Sequence, residues 1–239
     1  MRLETIILNR KVVRSDKILS VFSRELGKIV VVAPGCAKVP NRFGGAIEPL
    51  NYGISNIYRS VGGNFYLREY ELKKPFWEIR RSLNRLESAL FILSLVDKTS
   101  PLELPEPELF DTLLVFLDLI DSGGDPILLR YAVILKIFHF LGFLPSLDTC
   151  SSCSGKISKE AFVKGDTPIL VCGNCAGEGT ALKLTEGLNL LQEMRRKPLA
   201  LCGRIKYTSR GLEEVITYLE MLLRGVLGGV GLEFSGSNI

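Results

Sequence analysis

The chain has 239 residues, of which 46% are hydrophobic, and its 30 lysine and arginine residues against 26 aspartate and glutamate residues give a formal net charge of +4. This length allows one large domain or two modest ones, each able to bury a core. The first residues lack the profile of a signal peptide, and charged residues interrupt even the most apolar stretch, residues 127–143. We therefore expect a cytoplasmic protein without a membrane-spanning segment.

The positive charge is concentrated in the first third of the chain. Residues 1–80 contain 14 lysine and arginine residues and 7 acidic residues, whereas residues 81–239 contain 16 and 19. This asymmetry indicates that the amino-terminal part faces a polyanion and that the rest has structural or protein-binding roles.

Residues 3–74 have the pattern of an all-β unit. Turn-forming residues separate five candidate strands, which cover residues 4–13, 18–23, 28–33, 46–58 and 64–73. Five short strands are typical of a small closed barrel of the OB type. An SH3-like barrel fits the strand count nearly as well. The sequence therefore predicts a small β-barrel domain at residues 1–76.

Many cations lie in and around these strands. If these cations gather on one face of a small barrel, they form a groove that follows a nucleic-acid backbone. If they are scattered, they form an ordinary solvated surface. The aromatic residues Phe43, Tyr52 and Tyr58 either stack on bases or belong to the core. The cations are Arg10, Lys11, Arg14, Lys17, Arg24, Lys28, Lys38 and Arg42.

After Pro75 the hydrophobic period changes from two to about 3.6 residues, which indicates helices. Asp125 and Pro126 suit the start of the third of these helices, and Gly142 suits its end. That helix is apolar nearly all round, so we expect it at the centre of a helical domain spanning residues 77–239. The predicted helices cover residues 77–97, 108–121 and 126–141. The first is expected to bury Leu83, Leu86, Leu90 and Leu93.

Two Cys-x-x-Cys pairs follow, separated by eighteen residues, which is the spacing of a four-thiolate zinc site. Four thiolates complete a tetrahedral zinc ion and leave no position for water, so the predicted Zn²⁺ module at about residues 147–180 is structural. Two disulfides are the alternative, but they require an oxidising compartment. The predicted ligands are Cys150, Cys153, Cys172 and Cys175.

The last part of the chain predicts two more helices. One covers residues 185–196 with Thr185 as its cap, and the other covers residues 209–227 with Ser209 as its cap. Neither carries a catalytic pattern. The chain has no Walker-type loop, no nucleophile elbow, and its single histidine, His139, lies in an apolar run without a serine or cysteine beside it. We therefore expect a protein that is not an enzyme.

Several segments occur in a characteristic order along the chain. The segment with the most specific pattern is Leu-Gly-Phe-Leu-Pro at residues 141–145, shortly before the first cysteine pair. The others are residues 15–28, residues 35–43, residues 107–110 and residues 148–153. In this order of elements, over nearly its whole length, the chain resembles the bacterial recombination mediator family RecO.

The resemblance implies an α+β fold with an OB barrel, a helical domain and an inserted zinc knuckle. It also implies a nucleoid-associated protein that binds single- and double-stranded DNA, anneals complementary strands, and works with RecR to help RecA displace single-strand-binding protein. The family's loop after Gly35 is usually richer in cations than it is here. The basic surface of the barrel would fall on Lys28, Lys38 and Arg42, with Arg14, Lys17 and Arg24 nearby.

The resemblance further points to the helical domain as the site for the C-terminal tail of single-strand-binding protein. That tail is acidic and ends in an aromatic residue, so it requires an apolar pocket rimmed by cations. Arg130 and Lys136 are candidate rim residues, although each also fits a structural charge. The rival hypothesis is a zinc-stapled adaptor that contacts only proteins and does not bind DNA.

Overall fold

The computed structural model describes residues 1–36, 43–164 and 168–228. The chain divides into two compact units, Met1–Arg130 and Tyr131–Ile239. Among the described residues, no helix combines the length and the apolar character that crossing a membrane requires. The division expected from the sequence, between residues 76 and 77, stays a prediction.

Five strands of the first unit close into a barrel. They are β1 (Arg2–Val13), β2 (Asp16–Ser23), β3 (Gly27–Ala33), β4 (Tyr52–Arg59) and β5 (Phe65–Lys74). The neighbour order is β1-β2-β3-β5-β4, in which β3 and β5 run parallel and the other pairs antiparallel. Alternate residues such as Ile7, Leu19 and Val31 fill the interior. The predicted barrel is confirmed, and its strand order is OB-like.

Strand β4 begins later than predicted, because residues 46–51 form turns. The buried Asn51 donates its side-chain amide to the carbonyl oxygens of Gly45 and Ala46, at 2.9 and 2.8 Å. Leu50 has a φ of 78°, which no regular strand accommodates. The predicted start of this strand at residue 46 was therefore wrong.

Three helices follow in the first unit, α1 (Trp77–Arg80), α2 (Leu83–Thr99) and α3 (Pro107–Asp121). The single helix predicted at residues 77–97 is thus two helices. Its predicted leucine stripe was also wrong in part, since Leu83 and Leu90 are 70% and 41% exposed, whereas Ala89, Ile92 and Val96 are fully buried. Because α2 carries apolar residues on several sides, spacing alone did not identify the buried face.

Helices α2 and α3 cover the outer face of β1 and β2. The outward-facing Phe22 is fully buried, and its ring centroid lies 6.1 Å from that of Phe110 in α3. Ser20 of β2 donates its hydroxyl to the Asp97 carboxylate, and Lys28 of β3 donates to the Asp97 carbonyl oxygen. This side of the barrel is therefore closed to ligands by the protein's own helices.

Helix α4 (Pro126–Phe140) begins and ends as predicted. One carboxylate oxygen of Asp125 accepts the backbone N–H groups of Ile127 and Leu128, at 2.9 and 3.2 Å. Beyond the helix, Gly142 adopts a φ of 74°, and the Phe143 N–H donates to the Phe138 carbonyl oxygen at 2.8 Å. This is the left-handed ending that glycine permits.

We expect Asp125→Ala to lower the free energy of unfolding by about 1 kcal/mol, because the first turn of α4 loses its capping oxygen. Urea denaturation measures the loss. Asp125→Ser is the control, since serine also caps helices and should restore most of the stability. An equal loss in both variants would show that the cap is not what Asp125 contributes.

After α4, the described part of the second unit contains a small antiparallel sheet and three helices. The strands are β6 (Ala161–Lys164), β7 (Ile169–Val171) and β8 (Thr180–Leu184), in the order β7-β6-β8. The helices are α5 (Glu186–Arg196), α6 (Leu199–Cys202) and α7 (Ser209–Leu227). The sheet and α6 were not predicted, because their elements are too short for a periodic signal.

Of the two predicted caps, Thr185 is confirmed as the N-cap residue of α5, whereas Ser209 was wrong for α7. Thr185 precedes α5, but its side chain does not cap that helix. The cap of α7 is Thr208, whose hydroxyl oxygen accepts the Gly211 N–H at 3.0 Å. The N-terminus of α5 is instead capped by Glu214 of α7.

Candidate metal centre and candidate nucleic-acid surface

Two tight turns bring the four predicted ligands together. In the first turn the Ser154 N–H donates to the Cys150 carbonyl oxygen at 2.8 Å, and Ser154 has a φ of 59°. The second turn directly follows β7, and there the N–H groups of Cys175 and Ala176 donate to the Cys172 carbonyl oxygen at 3.0 and 2.9 Å. Each turn therefore presents its two sulfurs on one side.

The distances between the sulfurs suit a single tetrahedral metal ion. All four Sγ atoms lie within 4.8 Å of one another, and those of Cys153 and Cys172 are 3.8 Å apart. Sulfurs bound at about 2.3 Å to a tetrahedral zinc ion are about 3.8 Å apart. The cysteines form no disulfide. The cluster can therefore hold a metal ion, as the spacing predicted.

Hydrogen bonds within the cluster shift the pKa values of two of its thiols in opposite directions. The Cys172 N–H donates to the Cys150 sulfur at 3.3 Å, and this hydrogen bond is the main reason that the pKa of Cys150 falls to about 6. Hydrogen bonds with the Cys153 and Cys172 thiols, in contrast, raise the pKa of Cys175 to about 12. Because the thiolate is the metal ligand, a metal ion that binds here would displace the proton of Cys175.

The cluster is tied to the rest of the second unit. The Ser151 N–H in the first turn donates to the Leu170 carbonyl oxygen of β7 at 2.9 Å, which joins the two turns. Asp148, just before the first turn, forms an ion pair with Arg195 of α5. An ion at the cluster would therefore connect the segment after α4 to the small sheet and to α5.

Three of the six predicted DNA-binding cations already have partners within the first unit. The side chain of Lys17 is only 10% exposed and pairs with Glu48 at 2.9 Å. Arg24 forms an ion pair with Asp111 of α3. Lys28 is held by α2, as described above. Protein groups thus compensate the charges of Lys17 and Arg24, and Lys28 is tied to the closed side of the barrel.

Arg14 is placed differently. It lies at the β1–β2 turn with a φ of 57°, and the residues leading to it, 9–14, are all exposed. Lys11 is in the same hairpin. Within the described part of the barrel, these two exposed side chains form no ion pair. The β1–β2 hairpin therefore carries available positive charge.

The other two predicted cations, Lys38 and Arg42, lie outside the described residues. The described residues on either side of them are held beside the β1–β2 hairpin. The Gly35 N–H donates to the Asp16 carboxylate at 2.8 Å, and Glu48 forms ion pairs with cations of β1 and β2. The described residues on both sides of residues 37–42 therefore contact the barrel at its hairpin end.

The three predicted aromatic residues separate into two kinds. Phe43 belongs to the barrel core, and Tyr52 packs against α3 with its ring centroid 6.4 Å from that of Phe110. Tyr58 is 38% exposed. Of these three aromatic rings, Tyr58 is therefore the one that a ligand can reach.

Both candidate partner residues on α4 make contacts inside their own units. The Arg130 guanidinium lies 4.1 Å from the ring centroid of Phe91, and Lys136 donates to the Arg195 carbonyl oxygen at 2.6 Å. Burial lowers the pKa of Lys136. These contacts fit the structural role that the sequence left open for both residues, and the partner-binding role stays a prediction.

Comparison with known proteins covers nearly the whole chain. Residues 1–76 match the family model of the Recombination protein O N terminal domain, and residues 80–233 match that of the C terminal domain. The DNA repair protein RecO of Desulforamulus reducens is 33% identical over 231 residues, covering 95% of this chain and 88% of that protein. The one from Pelotomaculum thermopropionicum is 32% identical over 197 residues, covering 82% and 76%. The chain therefore belongs to the RecO family of DNA repair and recombination proteins.

Proposed function

We propose that the protein is a recombination mediator that binds single- and double-stranded DNA and anneals complementary strands. It helps load RecA onto strands coated by single-strand-binding protein, and it acts with RecR. The observation that supports this most directly is an OB-like barrel with an exposed cationic hairpin, in a chain of the RecO family. Such a function requires no catalytic group, so we assign no enzymatic step.

Annealing depends on charge. Two strands repel each other through their phosphates, and cations that neutralise some of these phosphates lower the repulsion and release counterions. Lys11 and Arg14 are available for this role, and Lys38 and Arg42 are assigned to it from the sequence. Because α2 and α3 close one side of the barrel, the DNA path that we propose follows the hairpin end.

We assign the metal as Zn²⁺, since four sulfur ligands in a tetrahedral arrangement are typical of structural zinc. Cys150, Cys153, Cys172 and Cys175 would hold it. The ion would supply no open coordination position, and it would act by fixing the two turns against the small sheet.

The remaining assignments follow the family. We place DNA binding in residues 1–76, and the contacts with RecR and with the tail of single-strand-binding protein in residues 77–239. Arg130 and Lys136 are the candidate rim residues for that tail. Such a protein acts in the cytoplasm, at the nucleoid.

We expect Lys11→Ala with Arg14→Ala to weaken DNA binding and to reduce its salt dependence. If each side chain neutralises one phosphate, the slope of log affinity against log salt falls in magnitude by about 1.4 for single strands and by about 1.8 for duplex. Fluorescence anisotropy of labelled oligonucleotides over a salt series measures both slopes. Lys38→Ala with Arg42→Ala tests the loop in the same way.

The matched control is Arg2→Ala with Lys73→Ala, which removes two cations from the same barrel. Both pair with Glu71, at the other end of the β4–β5 ribbon from its connecting turn. This control should change the slope little. If the hairpin and control variants behave alike, DNA does not bind at the hairpin end. If the unmodified protein shows no salt-dependent binding at all, the protein-only adaptor becomes the better account.

A further inference from the structure

A row of side chains crosses the outer surface of the barrel on the side that the helices leave open. Ile18 of β2 pairs with Val32 of β3, Val32 pairs with Tyr66 of β5, and Tyr66 pairs with Tyr58 of β4. Their chain neighbours, such as Leu19, belong to the barrel interior, so these four side chains face outward. We call them the cross-barrel row.

The end of this row on β4 and β5 is an aromatic stack topped by an arginine. The rings of Tyr58 and Tyr66 lie 5.4 Å apart between centroids, with 19° between their planes. The Arg68 guanidinium lies 4.6 Å from the Tyr58 centroid, and its side chain is exposed. The stack is therefore a flat, polarisable surface that carries a positive charge and is in contact with solvent.

A β-bulge lies at Arg68, next to this stack. Ile57 pairs with Leu67, but the next residue of β4, Asn56, pairs with Glu69, so Arg68 is the extra residue of β5. Bulges of this kind redirect a side chain and are frequent next to binding sites. Arg68 faces outward by the same alternation as Tyr66, and the bulge leaves the next residue, Glu69, exposed as well, so that Tyr70 returns to the core.

Charged side chains flank the cross-barrel row at both ends. At one end, Lys11 pairs with Ile18 and extends the cross-barrel row to β1. Beyond the bulge, Glu69 is exposed on β5, and its carboxylate would repel a phosphate chain. The charges therefore favour a phosphate chain between Lys11 and Arg68 over one that continues beyond the bulge.

We propose that the cross-barrel row, with Arg68, is a base-stacking platform for single-stranded DNA. A base lies on the exposed side of the Arg68–Tyr58–Tyr66 stack, Ile18 and Val32 cover further apolar base surface, and Lys11 and Arg68 neutralise phosphates at the two ends of the row. In a duplex the base faces are already stacked on one another, so the platform distinguishes an unpaired strand from a paired one. This inference rests on the proposed DNA-binding function and adds which surface holds the bases.

The test compares three labelled DNAs of equal length, an oligothymidine, an abasic strand with the same phosphates, and a duplex. We expect Tyr58→Ala with Tyr66→Ala to weaken binding of the oligothymidine by about 5- to 150-fold, the range for losing one or more base stacks. Binding of the abasic strand and of the duplex should not change. The salt slope should also stay constant, because tyrosine releases no counterions.

Three further variants make the result specific. Arg68→Lys keeps the charge but loses the planar group, so it should weaken oligothymidine binding while the salt slope stays the same. Tyr207→Ala removes an exposed tyrosine outside the barrel and should have no effect. Tyr58→Leu with Tyr66→Leu keeps apolar cover on the barrel, so it should fold like the unmodified protein and still lose the stacking contribution.

Two results would overturn the inference while leaving DNA binding intact. One is wild-type affinity for the oligothymidine in the leucine double variant. The other is an equal loss for the abasic strand and the oligothymidine in the alanine double variant. If the unmodified protein binds none of the three DNAs, the proposed function itself falls, and the platform falls with it.

Discussion

Replacing Cys150 with serine is expected to release the bound metal and to unfold the segment around residues 147–184. Structural zinc contributes about 10 kcal/mol or more to the folding of small zinc domains. Here the ion would be the main connection between the first cysteine turn and β7, apart from the hydrogen bond of Ser151. We expect the metal content to fall from about one ion per chain to near zero, and limited proteolysis to cut within this segment.

Cys202 provides the matched control. It is fully buried, and its S–H faces backbone carbonyl oxygens, among them that of Met194. Cys202→Ala should therefore keep the metal and resist proteolysis, and treatment of the unmodified protein with a chelator should reproduce the Cys150→Ser pattern. A Cys150→Ser variant that loses metal yet keeps its melting temperature and its protease resistance would show that the ion does not hold this segment together.

The parts of the structure that could be predicted from the sequence have local signals. Alternating residues and turn formers identified five strands, because a strand and its turn are read within about ten residues. The cluster of four cysteines could equally be predicted, since each Cys-x-x-Cys turn fixes two sulfurs by itself. Asp125, Pro126 and Gly142 gave the ends of α4 for the same reason.

The roles of single cations could not be predicted, because their partners are distant in the sequence. In the sequence, Lys17 and Arg24 are indistinguishable from cations of a DNA-binding surface. Their acidic partners are distant, since Glu48 lies 31 residues from Lys17 and Asp111 lies 87 residues from Arg24. The net charge of the first third of the chain therefore overstates what the barrel presents to a polyanion.

The Tyr58–Tyr66 stack was missed for a related reason. Tyr58 was a candidate for base stacking, but its value as a site depends on the register between β4 and β5, which brings Tyr66 and Arg68 beside it. Register is set by the packing of the whole barrel rather than by any one strand. Only the structure places the two rings and the guanidinium together.

Glu214→Gln is expected to lower the free energy of unfolding at pH 7 by about 2–4 kcal/mol, the scale for losing hydrogen bonds to a buried charged acceptor. The Glu214 side chain is 9% exposed and accepts the N–H groups of Thr185 and Gly187 at 2.7 and 2.9 Å, both on one oxygen. A glutamine in this position has two orientations. Either its NH₂ group faces the two N–H donors and both hydrogen bonds are lost, or its uncharged oxygen accepts them and the bonds are weaker. The charge also faces the positive end of the α5 dipole.

The loss should depend on pH in a defined direction. Burial alone would raise the pKa of Glu214, but hydrogen bonds from the N–H groups of Thr185 and Gly187 and from the Thr185 hydroxyl outweigh it, so the pKa lies below its ordinary value. A carboxyl whose pKa is lower in the folded state stabilises the fold above its unfolded pKa of about 4.3, and that contribution disappears as the pH falls through the folded value. The gap between the two proteins should therefore be constant from about pH 8 to pH 5 and narrow below about pH 4.

Urea denaturation at a series of pH values measures this gap, and Glu213→Gln is the matched control. Glu213 precedes Glu214 in α7, is exposed, and loses the same charge on substitution. It should show almost no stability change at any pH. A gap for Glu214→Gln that stays equally wide at pH 3 would mean that the shape of the side chain, and not its charge, holds α5 against α7. In that case a carboxylate would be unnecessary for joining the helices that follow the metal cluster.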